Sequence, residues 1–283
     1  MFYRMTPPEP MPQGPQEERR TAHVHLLHSH SFAPFLAPAH EIQPVQCEGI
    51  YEKHLQGICT DTENAIFWFF TTKLVKTGLD GKVLHAIDVA VHHGDLCFKQ
   101  GKVYVAVNLG KFNDPKGNAD SWIYVYTSED LAFVDKHAVP ELFYGAGGIG
   151  IAEDRFYVVG GLPDSIEENY VYEYDRSFRF QMKHTIQSGH TRLGIQTATF
   201  AEGKWWFGCY GEPKILLVTD SQFRLLGRYQ YDCSLGITGL HGSRFLSAYG
   251  MCEKTRGCTG GVKIAITDNQ EGLRTLPGKA SKD

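Results

Sequence analysis

HGDLCFKQGKVYV, residues 93–105, carries the arrangement that decides the fold: an anchoring glycine, a short strand, a Gln-Gly turn and a dense apolar strand. The same order recurs along the chain. A glycine beside an apolar residue opens each unit at Gly57, Gly94, Gly147, Gly194 and Gly236, with spacings of 37, 53, 47 and 42 residues. A period of about 45 residues is the size of one four-stranded propeller blade. The second strand of each unit is a nearly unbroken apolar run: IFWFF at 66–70, VYVAV at 103–107, FYVV at 156–159, WWF at 205–207 and FLSA at 245–248. Strands read this way when both faces are covered. Third strands such as WIYVY at 122–126 and YVYEY at 170–174 alternate more clearly. Polar turns follow at 79–81, 128–130, 175–177 and 220–222, short hairpin connections into a fourth strand.

Five such units predict an all-β chain folded as a five-bladed β-propeller with four-stranded antiparallel blades, occupying residues 38–268. No amphipathic stretch of helical period interrupts residues 50–268. A sandwich or barrel also has short, regularly spaced strands, but not the repeated internal order. The fifth unit supplies strands at 237–240, 245–248 and 262–267, and its fourth is either 273–276 or a strand lent by 39–45. The second option is expected, because 39–45 lies where every other blade places its fourth strand, just ahead of an anchor glycine. The ring is then closed by an N-terminal strand. Residues 1–37, rich in Pro, Glu, Gln and Arg and carrying His23, His25, His28 and His30, read as a disordered tail and lead-in. Residues 269–283 read as a polar C-terminal tail.

The chain has 283 residues, with Lys+Arg 28 against Asp+Glu 32 and both signs scattered. That leaves no electrostatic footprint for nucleic acid. The longest apolar run, 65–70, is far short of the roughly 20 residues that span a bilayer, so no membrane partner is expected. The four histidines spoil the apolar middle of any secretory signal, and a monomer in the cytoplasm is the expectation. Of the seven cysteines, most sit inside strands as small buried hydrophobes. Cys252 and Cys258 share one Gly-rich, charged loop; they are either free thiols or a short bridge in an oxidising compartment.

The aromatic second strands, the LVKTGLDGKVL hairpin at 74–84 and the unit at 93–105 resemble the NHL-, WD40- and YncE-like superfamily of β-propellers, specifically five-bladed members. The resemblance covers about residues 40–268 and implies the fold. It carries no active site, and the WD dipeptide is absent.

In an antiparallel meander, alternate connections lie at opposite ends of the strands. The first-to-second connections are uniformly short, at 63–64, 100–101, 153–154, 202–203 and 242–243. The second-to-third connections are long: 109–120, 161–169, 210–213 and 249–261. Long loops concentrate function, so the site is expected on their face. The fourth-to-first connections end on the same face and contribute His54, Gln56, His92, His93, Asp95, Tyr144, His190, Arg192 and Gln196 around the central channel. Trp122, Tyr144, Trp206 and Tyr210 are candidates for stacking on sugar rings, Trp206 being the one that its strand position places in the core.

Three functions follow. The first is binding of a small polar molecule or glycan by His54, Gln56, His92, His93, Asp95, Tyr144, Arg192 and Gln196. The second is a hydrolase or lyase, with Asp95 and Glu168 as acid and base and Arg192 neutralising an anionic substrate. Its metal-assisted form places one divalent cation, zinc or manganese, on His54, His93 and His190 in the channel. The third is a protein-interaction platform on the loop face. Polar residues at these strand ends also serve simply to satisfy backbone groups around a wet channel. No P-loop, HExxH or GxSxG pattern is present. GAGGIG at 145–150 precedes a strand and not a helix, so close packing at the axis explains it better than phosphate binding.

Overall fold

The computed structural model describes residues 42–90 and 93–278, excluding the side chain of His93. The tail at 1–37, the first part of the expected closing strand at 38–41, His92 and residues 279–283 lie outside the described residues. Strand β1 (Val45–Gln46) precedes five four-stranded meanders. Blade 1 is β2 (Leu55–Thr60), β3 (Ala65–Phe70), β4 (Lys73–Gly78) and β5 (Val83–Asp88). Blade 2 is β6 (His93–Lys99), β7 (Lys102–Asn108), β8 (Ser121–Thr127) and β9 (Phe133–Ala138). Blade 3 is β10 (Ala146–Ala152), β11 (Arg155–Gly160), β12 (Asn169–Tyr174) and β13 (Phe180–Ile186). Blade 4 is β14 (Arg192–Ala201), β15 (Lys204–Tyr210), β16 (Ile215–Asp220) and β17 (Leu225–Tyr229). Blade 5 is β18 (Ile237–Leu240), β19 (Arg244–Glu253), β20 (Gly257–Asp268) and β21 (Gly272–Thr275). Inner strands touch in the circular order β2, β6, β10, β14, β18 and back to β2, so the five sheets form the expected propeller. Among the described residues, no helix is long and apolar enough to cross a membrane.

The core explains the unbroken second strands. It divides into five clusters, one at each interface between blades. Within β3, Ala65, Phe67 and Phe69 face blade 2, whereas Ile66, Trp68 and Phe70 face blade 5. Successive side chains of a strand point to opposite faces, and here both faces are interior. The same division sends Trp205 and Phe207 of β15 toward blade 3 and Trp206 toward blade 5. Trp206 is buried, as its strand position required.

The repeat extends to individual atoms. Asp175 Oδ1 accepts from the Ser177 and Arg179 amides, and 45 residues later Asp220 Oδ1 accepts from the Gln222 and Arg224 amides. Each aspartate also holds the guanidinium of that arginine, at 2.7 and 2.6 Å. The turn residues Phe178 and Phe223 take positive φ values of 55° and 63° and bury their rings between blades. Side-chain hydrogen bonds of this kind define Asx turns.

Blade 5 shows how the ring closes, and both options for its fourth strand are realised. β20 is 12 residues long, enough to pair with two partners on its outer edge. β1 pairs at Val262 and Gly261, and β21 pairs from Ala265 to Asp268. The N-terminal contact continues through Cys47 N–H to Gly260 O, then through a mutual pair between Tyr51 and Cys258 at 2.8 and 2.7 Å. Ile42, Cys47 and Tyr51 are buried in the cluster between blades 5 and 1. The Tyr51 ring stacks on Phe70 with centroids 3.7 Å apart. Residues 272–275 therefore belong to the sheet and not to a polar tail; Leu273 is fully buried between blades 4 and 5.

Residues 249–261 are also not a loop. They form the tip of the β19–β20 hairpin, paired from Tyr249–Gly261 to Glu253–Gly257. Its glycines and charges read as loop chemistry, but the β1 segment gives the tip a third strand to pair with. Cys252 and Cys258 stand directly opposite, with Cα atoms 4.0 Å apart, and are joined by a disulfide. Such bonds persist where thiols are oxidised.

Two variants test this closure by urea unfolding. Removing residues 38–51 is expected to abolish a single cooperative transition, and an unchanged melt contradicts the closure. Tyr51→Ala is expected to lower stability by about 3 kcal/mol, the scale of a large-to-small core substitution.

Candidate functional site

Backbone crowding governs the axis. A Cβ on Gly94 would overlap the Gly147 carbonyl, and one on Gly148 would meet the Gln196 carbonyl at 2.6 Å. GAGGIG is thus a packing element, as expected from its place before a strand. Toward the long-loop face the inner strands leave a cleft of about 280 Å³. Blade 1 and its lead-in contribute Gln56 and His54, while blade 2 contributes Gly94, Asn108 and the loop residue Phe112. Ala146 and Gly147 of blade 3 and Leu193, Gln196 and Tyr210 of blade 4 complete the lining.

Asp95 lies one residue further along β6 and is fully buried. It fills the niche created by the missing side chain of Gly57, where a Cβ would stand 2.6 Å from Asp95 Oδ1. The Ala198 amide, on blade 4, donates to Asp95 Oδ2 at 3.1 Å. Oδ1 meets no donor in hydrogen-bonding geometry. Burial pushes the carboxyl well above the usual carboxylate range, against the opposing pull of the Ala198, Leu96 and Ile58 amides. Asp95 thus connects the inner strands of blades 1, 2 and 4.

Among the described residues, the cleft walls carry no charged side chain. Gln56 Nε2 donates to His54 Nε2 at 2.8 Å, so the imidazole is neutral with its proton on Nδ1. Desolvation, then the adjacent Lys53 charge, lowers the His54 pKa from its ordinary value. Burial, reinforced by the charge of Asp232, pushes the Tyr210 hydroxyl up to about 12. Asn108 is committed to structure: its Nδ2 donates to Gly110 O, and its Oδ1 accepts from the Asp120 amide.

Of the residues nominated from sequence, His54, Gln56, Gln196 and Tyr210 line the cleft, with Asp95 packed beside its floor. Tyr144 lies elsewhere, beside Tyr170 and Tyr172. Glu168 accepts from the Tyr170 hydroxyl and from Gln187, and the His190 amide donates to Glu167, so this acidic pair ties one loop to the next. Neither Glu168, Arg192 nor His190 lines the cleft. The carboxylates of Asp95 and Glu168 therefore do not face one cavity. Among the described residues, no group of three or more His, Cys, Asp or Glu side chains converges to hold a metal. Sequence reasoning passed over Asn108, Phe112 and Leu193. The signal available for Phe112 was its place in the longest loop that remains a loop.

Fold and cleft together define a five-bladed propeller with an uncharged axial cleft. No protein-family model matches the chain, and no curated protein is similar to it. Among solved structures, it is similar to the computationally designed Ika4 protein at 13% identity and a TM-score of 0.37, covering 64% of this chain and 97% of that one. It is also similar to the WD40 β-propeller domain of Doa1 at 13% identity and a TM-score of 0.45, covering 79% of this chain and 69% of that one.

The Asp95 environment has a pH signature. A carboxyl whose folded pKa is raised contributes stability that is complete below its unfolded value, 3.8, and is lost as pH rises toward the folded value. Asp95→Asn keeps an acceptor for the Ala198 amide and cannot ionise. Denaturant melts from about pH 4 to about pH 8 should show the stability of Asp95→Asn rising relative to wild type as pH increases. A difference independent of pH contradicts a buried, destabilised carboxylate.

Proposed function

We propose that this protein is a binding propeller that holds a small polar ligand in the axial cleft. The observation that carries the reading is the cleft lining, assembled from four blades, with two aromatic rings and polar side chains. Concave, partly apolar sites with a few fixed polar groups are the usual form of small-molecule sites. One ring builds the whole cleft, so a monomer suffices. Within the propellers, the hairpin at 74–84 and the aromatic second strands support placement with the NHL- and YncE-like members.

A second reading, a protein-docking platform, is supported by Leu109, Phe143, Ile50 and Met251, whose large apolar side chains are all exposed. A thermal-shift panel of neutral, anionic and cationic small molecules separates the two. Under the cleft reading, some members raise the melting temperature of the wild type. Phe112→Ala then weakens their binding by about tenfold or more, whereas Phe143→Glu combined with Met251→Glu leaves it unchanged. Absence of any binder, or binding indifferent to Phe112→Ala, contradicts the reading.

A further inference from the structure

Two carboxamides in the cleft are fixed in orientation by what their nitrogens can reach. Gln196 Nε2 lies 2.8 Å from Leu193 O and 3.5 Å from Gly194 O. Both partners are acceptors only, so the atom between them is the nitrogen. Thr71 Oγ1 donates to His54 O at 3.1 Å, so toward Gln56 that hydroxyl can only accept, and the Gln56 atom facing it is again Nε2. Each side chain has its donor end tied back into the protein. Neither Oε1 has a partner among the described residues, and neither is sealed from solvent.

The cleft thus offers two fixed acceptors, Gln56 Oε1 and Gln196 Oε1, beside a Tyr210 hydroxyl that is also unpartnered among the described residues. Among the described residues, no cationic side chain lines it to pair with an anion. Among the described residues no carboxylate lines it to pair with a cation, and the Lys214 ammonium stands 4.9 Å from the Tyr210 ring centroid, which opposes a second positive charge there. Phe112 and Tyr210 supply aromatic surface, and the floor is bare glycine backbone. Hydroxyl groups are suited to this set, since each donates to an amide oxygen and accepts from a phenol.

Resting on the cleft as the binding site, we propose that its ligand is an uncharged, hydroxyl-rich ring the size of one monosaccharide. The two glutamine oxygens receive its hydroxyl protons, and its C–H face lies against an aromatic ring. Buried groups left unpaired by the wrong ligand set the selectivity.

The test is calorimetric titration of the full chain with three sets of pyranosides matched in ring: neutral methyl hexosides, hexuronates and hexosamines. The expected result is binding of at least one neutral hexoside, about tenfold or more tighter than its uronate and amine counterparts, the scale of one hydrogen-bonding or charge mismatch. Gln196→Met and Gln56→Met each weaken it by about tenfold, while melts report whether either variant is folded. Tighter binding of the uronate or amine overturns the polyol assignment and leaves the cleft reading intact. So does binding of planar nucleobases or amides by the same residues in the absence of any sugar binding. Failure of every class, including the broad panel, overturns the cleft reading and this proposal with it.

Discussion

The constraint on which the structure depends is that each second strand serves two interfaces at once. β3 leaves no face for solvent: its odd-numbered residues pack toward blade 2 and its even-numbered residues toward blade 5. A strand so built cannot sit at the end of an open row, where one apolar face would be bare. The ring must close, and blade 5 closes it with chain from both termini on the single long strand β20.

Closure also determines where chemistry can occur. Five inner strands meeting at one axis bring backbone to within side-chain distance, so glycine occupies the approach points and Asp95 is sealed among them. Side chains with freedom to meet a ligand stand only above this floor, where strands diverge into loops. His54, Gln56, Gln196, Phe112 and Tyr210 are there, and all are uncharged. The selectivity argued for the cleft follows from this composition and from the tethering of each glutamine nitrogen.

Much of this was legible in the sequence. The blade number, the strand order, the burial of the aromatic runs and the axial role of GAGGIG follow from two periods, one of 2 and one of about 45 residues. His54, Gln56 and Gln196 were identifiable because they sit at the starts of inner strands, a position fixed by the repeat. Asp95 holds the same kind of position, yet it is buried by the approach of Gly57 from another blade, which no local pattern encodes. Glu168, Arg192 and His190 are likewise near the right strand ends, but the contacts between residues 161–169 and 187–191 divert this acidic and imidazole cluster from the axis. Phe112 and Asn108 depend on the path of a long loop. The strand character of 249–261 was hidden because the third strand beside it comes from residues 45–51, far earlier in the chain, whereas β21 was legible as one of two options for the fourth strand.

The most direct measurement of where this protein binds is amide chemical-shift mapping of the labelled chain titrated with a bound hexoside. Gly94 and Gly147 at the cleft floor, with Gln56 and Gln196 on its walls, are predicted to move together with one saturation curve. Shifts confined to the outer strands or to the opposite face, with these four amides unmoved, would contradict an axial binding site.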